Sequence, residues 1–192
     1  ASHFNTFRYW SPEFTIKQLD YLAKSGVKQL KIADEMWVLN PKHFLRLCDL
    51  IIERGYQFNI WAYTRIDTIK PKYLEKLKKA GVNWLAPGIE AGNQTVRKEI
   101  IKGKFEDVNI REIISSIQDH DINVVANYIF GIGNDNWKTM QETLNLALEL
   151  NTENANMYCS TPLPGSPLYL KAKREGWTMP TNYNEYGFLA YE

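Results

Sequence analysis

The sequence predicts an α/β fold, a parallel sheet covered by helices and belonging to a barrel-like arrangement. Three observations carry that prediction. Amphipathic helical stretches alternate with short apolar runs along almost the whole chain, the pattern of βαβ units. Successive runs begin roughly 25 to 40 residues apart, a distance the right-handed βαβ crossover accommodates. Four of the runs end in short polar or glycine-rich signatures: Ala33-Asp34-Glu35, Tyr63-Thr64-Arg65, Gly88-Ile89-Glu90-Ala91-Gly92 and Asn127-Tyr128-Ile129-Phe130-Gly131. A fifth ends in Thr161-Pro162-Leu163-Pro164-Gly165-Ser166. Parallel-strand barrels gather their chemistry at the carboxyl ends of the strands, so matching polar positions on successive units imply one shared ligand.

Each element has its own local reason. Ser11-Pro12-Glu13 opens the first helix with a capping hydroxyl, a proline suited to the first turn and an acid suited to the dipole. Phe14, Ile16, Leu19, Leu22 and Ala23 keep a helical period until Gly26. Lys28 to Ile32 reads as a strand. Asn40-Pro41 starts a helix that runs to Gly55, Phe58 to Ile66 is the next strand, Lys70-Pro71 to Lys79 a helix and Val82 to Ile89 a strand. Two helical stretches follow, near Thr95 to Ile101 and Asn109 to His120. Asn123 to Phe130 is a strongly apolar strand, Trp137 to Leu150 a helix, and Asn154 to Ser160 a last strand-like segment. The tail from 177 to 192 reads as irregular.

Length and composition set bounds. The 192 residues suit one domain spanning 1–192 and fall short of a complete eight-unit barrel of about 250 residues. A net charge of +1 gives no electrostatic reason to expect nucleic acid or a membrane surface as partner. No apolar run approaches the ~18 residues of a membrane span, and a cytoplasmic location is expected. Six Trp and eleven Tyr suit a large core or a pocket for flat ligands, with the core as the expected use. The two cysteines, Cys48 and Cys159, are too few for a disulfide scaffold or for an iron–sulfur cluster by themselves, and both read as packing thiols.

The strand-end residues each admit two readings. Asp34 and Glu35 suit a ligand ammonium group, or a solvated loop. Arg65 suits a ligand carboxylate, or pairing with Asp67 or Glu35. Glu90 between glycines suits the paired hydroxyls of a ribose, or a turn that needs glycine dihedrals. Asn127 inside an apolar strand must hydrogen-bond either ligand or neighbouring backbone. Gly131-Ile132-Gly133 fits many loops and is not a dinucleotide fingerprint. No HxH or HExxH spacing, GxSxG elbow or phosphate loop is present, which argues against zinc hydrolases, α/β-hydrolases and P-loop enzymes.

Taken in order, these signatures resemble the radical S-adenosylmethionine (SAM) superfamily, whose members use a four-iron, four-sulfur cluster to cleave SAM reductively. Ala33-Asp34-Glu35-Met36-Trp37-Val38-Leu39-Asn40 resembles its "DExFxxN" strand end, and Lys79-Ala80-Gly81-Val82 with Gly88-Ile89-Glu90-Ala91-Gly92 resembles "KxAG…GIESG". Asn127 to Gly133 resembles "xxIxGxP", and Thr161 to Ser166 resembles "xPxPGT". Trp61 to Asp67, Asn83-Trp84-Leu85 and Pro164 to Tyr169 resemble the branch that often carries an amino-terminal cobalamin-binding domain.

The resemblance implies a partial (β/α)6 barrel whose first strand and CxxxCxxC cluster loop are missing here, with Ala1 just downstream of the third cysteine. It implies SAM as cofactor, a 4Fe-4S cluster in the intact parent, and cobalamin where a further domain supplies it. The implied partners are a small-molecule substrate and a one-electron donor. Asp34 or Glu35 and Lys102, with Arg65, would meet the amino-acid end of SAM. Glu90 and Asn127 would hold its ribose, while Gly131, Leu163 and Pro164 would border the adenine. No catalytic residue or metal ligand is assigned. The implied chemistry makes methionine and a 5′-deoxyadenosyl radical that abstracts a substrate hydrogen, leading to methylation or cyclisation. The fragment alone is expected to be inactive. Ala91 stands where the pattern has Ser, and Gly133 where it has Pro. The alternatives are a barrel enzyme acting on a phosphate-bearing substrate, and a non-catalytic SAM-binding or interaction remnant.

Overall fold

A computed structural model describes residues 8–100 and 108–186. Lys102 and the end of the tail lie outside them. Among the described residues five strands form one parallel sheet in sequential order: β1 (Gln29–Ile32), β2 (Asn59–Arg65), β3 (Val82–Glu90), β4 (Asn123–Phe130) and β5 (Asn154–Cys159). The sheet curls into a partial barrel, as the sequence predicts. Helices α1 (Pro12–Lys24), α2 (Pro41–Glu53), α3 (Pro71–Lys79), α4 (Gln94–Ile100), α5 (Ile110–Asp119), α6 (Trp137–Leu150) and α7 (Pro167–Glu175) occupy the rest of the order.

The helix starts follow their caps. Ser11 Oγ accepts from the Phe14 amide, with Pro12 at the first helical position. Asn136 and Thr139 close a reciprocal capping box on α6. Helix α7 has no counterpart in the sequence reading, yet its signals are local: Ser166 caps it, Pro167 begins it and Gly176 ends it at φ +69°. The proline-rich run before it masked the pattern.

One face of the sheet carries the core. Along β2 the side chains alternate: Ile60, Ala62 and Thr64 are buried while Asn59, Trp61, Tyr63 and Arg65 are half-buried. Ile60 and Ala62 join Leu85 and Ile89 of β3 and Val124, Ala126 and Tyr128 of β4 in one core. Phe44, Leu47 and Ile51 of α2, Leu74 and Leu77 of α3, and Ile113, Ile114 and Ile117 of α5 complete it. The other, concave face is polar and aromatic. At its amino end an amide ladder crosses the sheet: Asn59 Nδ2 donates to Gln29 Oε1 at 2.6 Å, Asn83 Nδ2 to Asn59 Oδ1 at 3.1 Å, and Asn123 Nδ2 to the Asn83 carbonyl at 3.1 Å. The ladder ties four strands together at the end away from the strand-end signatures.

The cysteines divide. Cys48 is buried in α2 as expected. Cys159 is exposed on β5, because β5 is an edge strand whose flank no described element covers.

Candidate functional site

Parallel pairing sets the site. Arg65 stands beside Gly88, and Gly88 beside Asn127, which pairs with Asn156. Registered neighbours in a sheet project to the same side, so these residues form one row across the carboxyl ends of β2 to β5. Between Gly88 and Glu90 the register shifts, and Glu90 takes a left-handed backbone at φ +68°. That conformation strains a residue with a side chain by roughly 1–2 kcal/mol. It folds the Glu90 carboxyl back over Gly88, into space that a Cβ at position 88 would occupy. A Cβ there would turn the Glu90 carboxyl away from this position, so the absence of a side chain at Gly88 lets the carboxyl rest over it.

The Glu90 carboxyl makes no hydrogen bond among the described residues, and burial pushes it above the usual carboxylate range against the opposing pull of Arg65. Glu90 is half-buried and its oxygens are not among the buried polar atoms left without a partner, so a ligand's hydroxyls can reach them. Arg65 grips Asp67 with both arms, Nε to Oδ1 at 2.9 Å and Nη2 to Oδ2 at 2.6 Å. Of its two readings, pairing with Asp67 is what the structure contains. Asn127 is satisfied internally: Nδ2 donates to the Val125 carbonyl at 3.0 Å and the Pro87 carbonyl at 3.3 Å, while Oδ1 accepts from Asn156 Nδ2 at 3.0 Å. One lone pair on Oδ1 remains for a ligand.

The loop after Glu90 is held from below. Arg97, buried on α4, donates to the Ala91 carbonyl at 2.7 Å, and the Gly92 amide donates to Thr143 Oγ1 of α6 at 2.9 Å. Neither residue was singled out from the sequence, since a lone Arg on a short helix and a Thr inside an amphipathic one carry no signal of their own. Asn156 was also missed, although its spacing of two from Asn154 marks a shared strand face.

The remaining predicted residues lie around this row. Asp34 and Glu35 are exposed in the turn after β1, the sheet edge opposite β5, and Asp34 Oδ1 accepts from the Met36 amide at 3.4 Å. Asp34 borders a cavity beneath α1 together with Tyr9, Trp10 and Trp37. Neither residue hydrogen-bonds to the row among the described residues. Gly131, at φ +80°, donates its amide to Asp135 Oδ2 at 2.8 Å and accepts from Ser160 Oγ at 2.7 Å, which brings the ends of β4 and β5 together. Gly133 has φ +67°, a conformation proline's ring forbids, which explains the departure at that position. Leu163 and Pro164 form an exposed turn beyond β5. The Leu163 and Ser166 amides there bond to the Thr161 and Leu163 carbonyls, so neither donor is available to a phosphate. No described helix is long and apolar enough to cross a membrane.

The sequence pattern of the Radical SAM superfamily matches residues 3–147. Anaerobic magnesium-protoporphyrin IX monomethyl ester cyclase of Cereibacter sphaeroides is 26% identical over 95% of this chain and 30% of its own length. Hopanoid C-2 methylase of Rhodopseudomonas palustris is 25% identical over 88% of the chain and 33% of its own length. The chain therefore spans about a third of these curated relatives. Among solved structures, the radical SAM methyltransferase TsrM from Kitasatospora setae, with cobalamin and a [4Fe-4S] cluster bound, superposes with a TM-score of 0.78 at 14% identity. That match covers 86% of this chain and 32% of TsrM. A matched pattern over most of the chain, the partial barrel and the row at its strand ends converge: this chain belongs to the radical SAM superfamily.

Proposed function

We propose that this chain is the SAM-binding part of a radical SAM enzyme that methylates or cyclises an unreactive carbon of a small-molecule substrate. In this reading residues 1–192 act as one partial-barrel domain, in a cytoplasmic setting, with a one-electron donor as partner. The observation that carries it is the Glu90 carboxyl: strained into place, half-buried, without a hydrogen-bond donor among the described residues, and folded over Gly88, which Arg65 and Asn127 flank in register. The paired hydroxyls of a ribose supply what that carboxyl lacks.

The residues fit SAM. Glu90 would accept from the ribose hydroxyls, with the free lone pair of Asn127 Oδ1 beside it. The backbone near Gly131, Leu163 and Pro164 would border the adenine. The amino-acid end would lie toward β1, where Asp34 or Glu35 meets the ammonium, while Arg65 and Lys102 attract the carboxylate. Arg65 acts there as a charge fixed in place by Asp67 rather than as a two-armed clamp, because both arms are engaged. When bound, SAM supplies a sulfonium whose one-electron reduction begins radical chemistry. This chain's part is to orient the cofactor and exclude water.

The cysteines do not fit a cluster. Cys48 is buried with its thiol pushed up to about 12, Cys159 lies on the edge strand, and no metal-holding group of His, Cys, Asp or Glu occurs among the described residues. No ligand of the 4Fe-4S cluster, and none of cobalamin, is therefore assigned to this chain.

Titration calorimetry with SAM under anaerobic conditions tests the reading. Binding of SAM is expected, with affinity at least about tenfold lower in Glu90→Gln, where hydrogen bonds to a charged acceptor are lost. Absence of SAM binding by the wild-type chain overturns it.

A further inference from the structure

We propose that the concave sheet face below the Glu90 row is a second binding site, for a flat conjugated molecule that carries a carboxylate. The proposal deepens the reading above by naming the substrate class. The floor of this face is a cavity of about 520 Å³ lined by residues that include Lys31, Asn59, Trp61, Trp84, Asn154 and Asn156. That volume lies within the ~300–1,000 Å³ range of small-molecule sites.

The inward positions are unlike those of a packed barrel, which Val, Ile and Leu fill in layers. Here Lys31 of β1 stands in register with Trp61 of β2, and Trp61 with Trp84 of β3. Trp61 and Tyr63 meet edge to face, centroids 4.2 Å apart at 87°. Together they seat the Lys31 ammonium, 4.5 Å from the Trp61 centroid and 5.2 Å from that of Tyr63. A cation placed on two rings is oriented without being neutralised. No carboxylate pairs with it among the described residues.

Trp84 divides the labour. Half-buried, it lines the cavity and stacks on no other aromatic ring among the described residues. It offers the face on which a conjugated ring stacks, while Lys31 meets the ligand's acid. From Trp61 to Arg65 the strand rises about 13 Å. Because Lys31, Trp61 and Trp84 are neighbours in register, a flat molecule seated on Trp84 with its acid at Lys31 lies across the strands, about that far below Arg65.

Fluorescence titration with 1-pyrenebutyrate and its neutral counterpart 1-pyrenebutanol tests the site. The wild-type chain is expected to bind the acid at least tenfold more tightly than the alcohol. Lys31→Met erases that preference with the alcohol's affinity unchanged, and Lys31→Arg keeps it. Trp84→Leu weakens both probes at least fivefold, and Trp84→Phe, which retains a ring, restores most of the loss. Circular dichroism confirms that each variant is folded. Equal binding of acid and alcohol, a preference that survives in Lys31→Met, or binding of neither probe overturns the proposal. Calorimetry with SAM on the same samples separates the two readings. The pyrene pattern without SAM binding sinks the SAM site and leaves this one standing, and SAM binding without the pyrene pattern does the reverse.

Discussion

In the proposed SAM site, Glu90 is where function opposes stability at the level of one residue. Its carboxyl ionises at a higher pH in the folded chain than its ordinary 4.5, because burial disfavours the charge more than Arg65 favours it. Below 4.5 both folded and unfolded chains hold the proton and no penalty exists. As pH rises through 4.5 the unfolded carboxyl ionises first, and the folded state loses relative stability until its own carboxyl has ionised. Glu90→Gln removes that loss. A higher melting temperature than wild type is expected at about pH 7, with the difference vanishing near pH 4, as thermal denaturation at both values checks. In the proposed SAM site the same substitution is expected to weaken SAM binding. The cysteines give a second residue-scale outcome. Cys48 holds its proton up to about 12 through burial, while Cys159 is exposed. Iodoacetamide on the folded protein is expected to label Cys159 and spare Cys48, read by peptide mass spectrometry.

At the scale of elements, the Glu90 loop depends on how closely α6 approaches β3. A Cβ at Gly92 would stand 2.5 Å from the Glu142 carbonyl oxygen and 2.8 Å from Thr143 Cα, both backbone atoms of α6 that cannot rotate away. Gly92→Ala is therefore expected to push the helix outward and destabilise the fold by about 1–3 kcal/mol, measured by urea unfolding. Pushing α6 outward also strains the Gly92 to Thr143 hydrogen bond, so in the proposed site SAM affinity is expected to fall with stability. Asn127 and Asn156 make the complementary point. A polar residue inside an apolar strand declares that it needs partners, but only the pairing of β4 with β5 shows that one partner is another asparagine.

At the scale of the whole molecule, the two faces of the sheet have different fates. The convex face is covered by helices, whereas among the described residues β5 is the last strand of the sheet, with Met157, Tyr158 and Cys159 exposed. Beside it α6 presents Leu148 at 79% exposure. An open edge next to exposed apolar side chains invites association. Leu148→Lys is expected to leave stability unchanged within about 0.5 kcal/mol, while sedimentation velocity shows less self-association than wild type. Unchanged sedimentation would mean that α6 takes no part in such contacts.

By itself the sequence determined the alternation of helix and strand, the Ser11 cap of α1, and which residues stand at strand ends. These follow from periodicities of two and 3.6 and from the dihedral demands of Ser, Pro and Gly, all of which act over a few neighbours. It also ordered the strand-end signatures well enough to indicate the family. Tertiary structure alone decided that Arg65 belongs to Asp67, that Glu90 folds over Gly88 without a donor, and that Arg97 and Thr143 steady the loop from another layer. The placing of Lys31 on Trp61, thirty residues along the chain, was likewise decided there. Such partners are chosen by strand register and helix approach, which bring together residues that no local pattern connects.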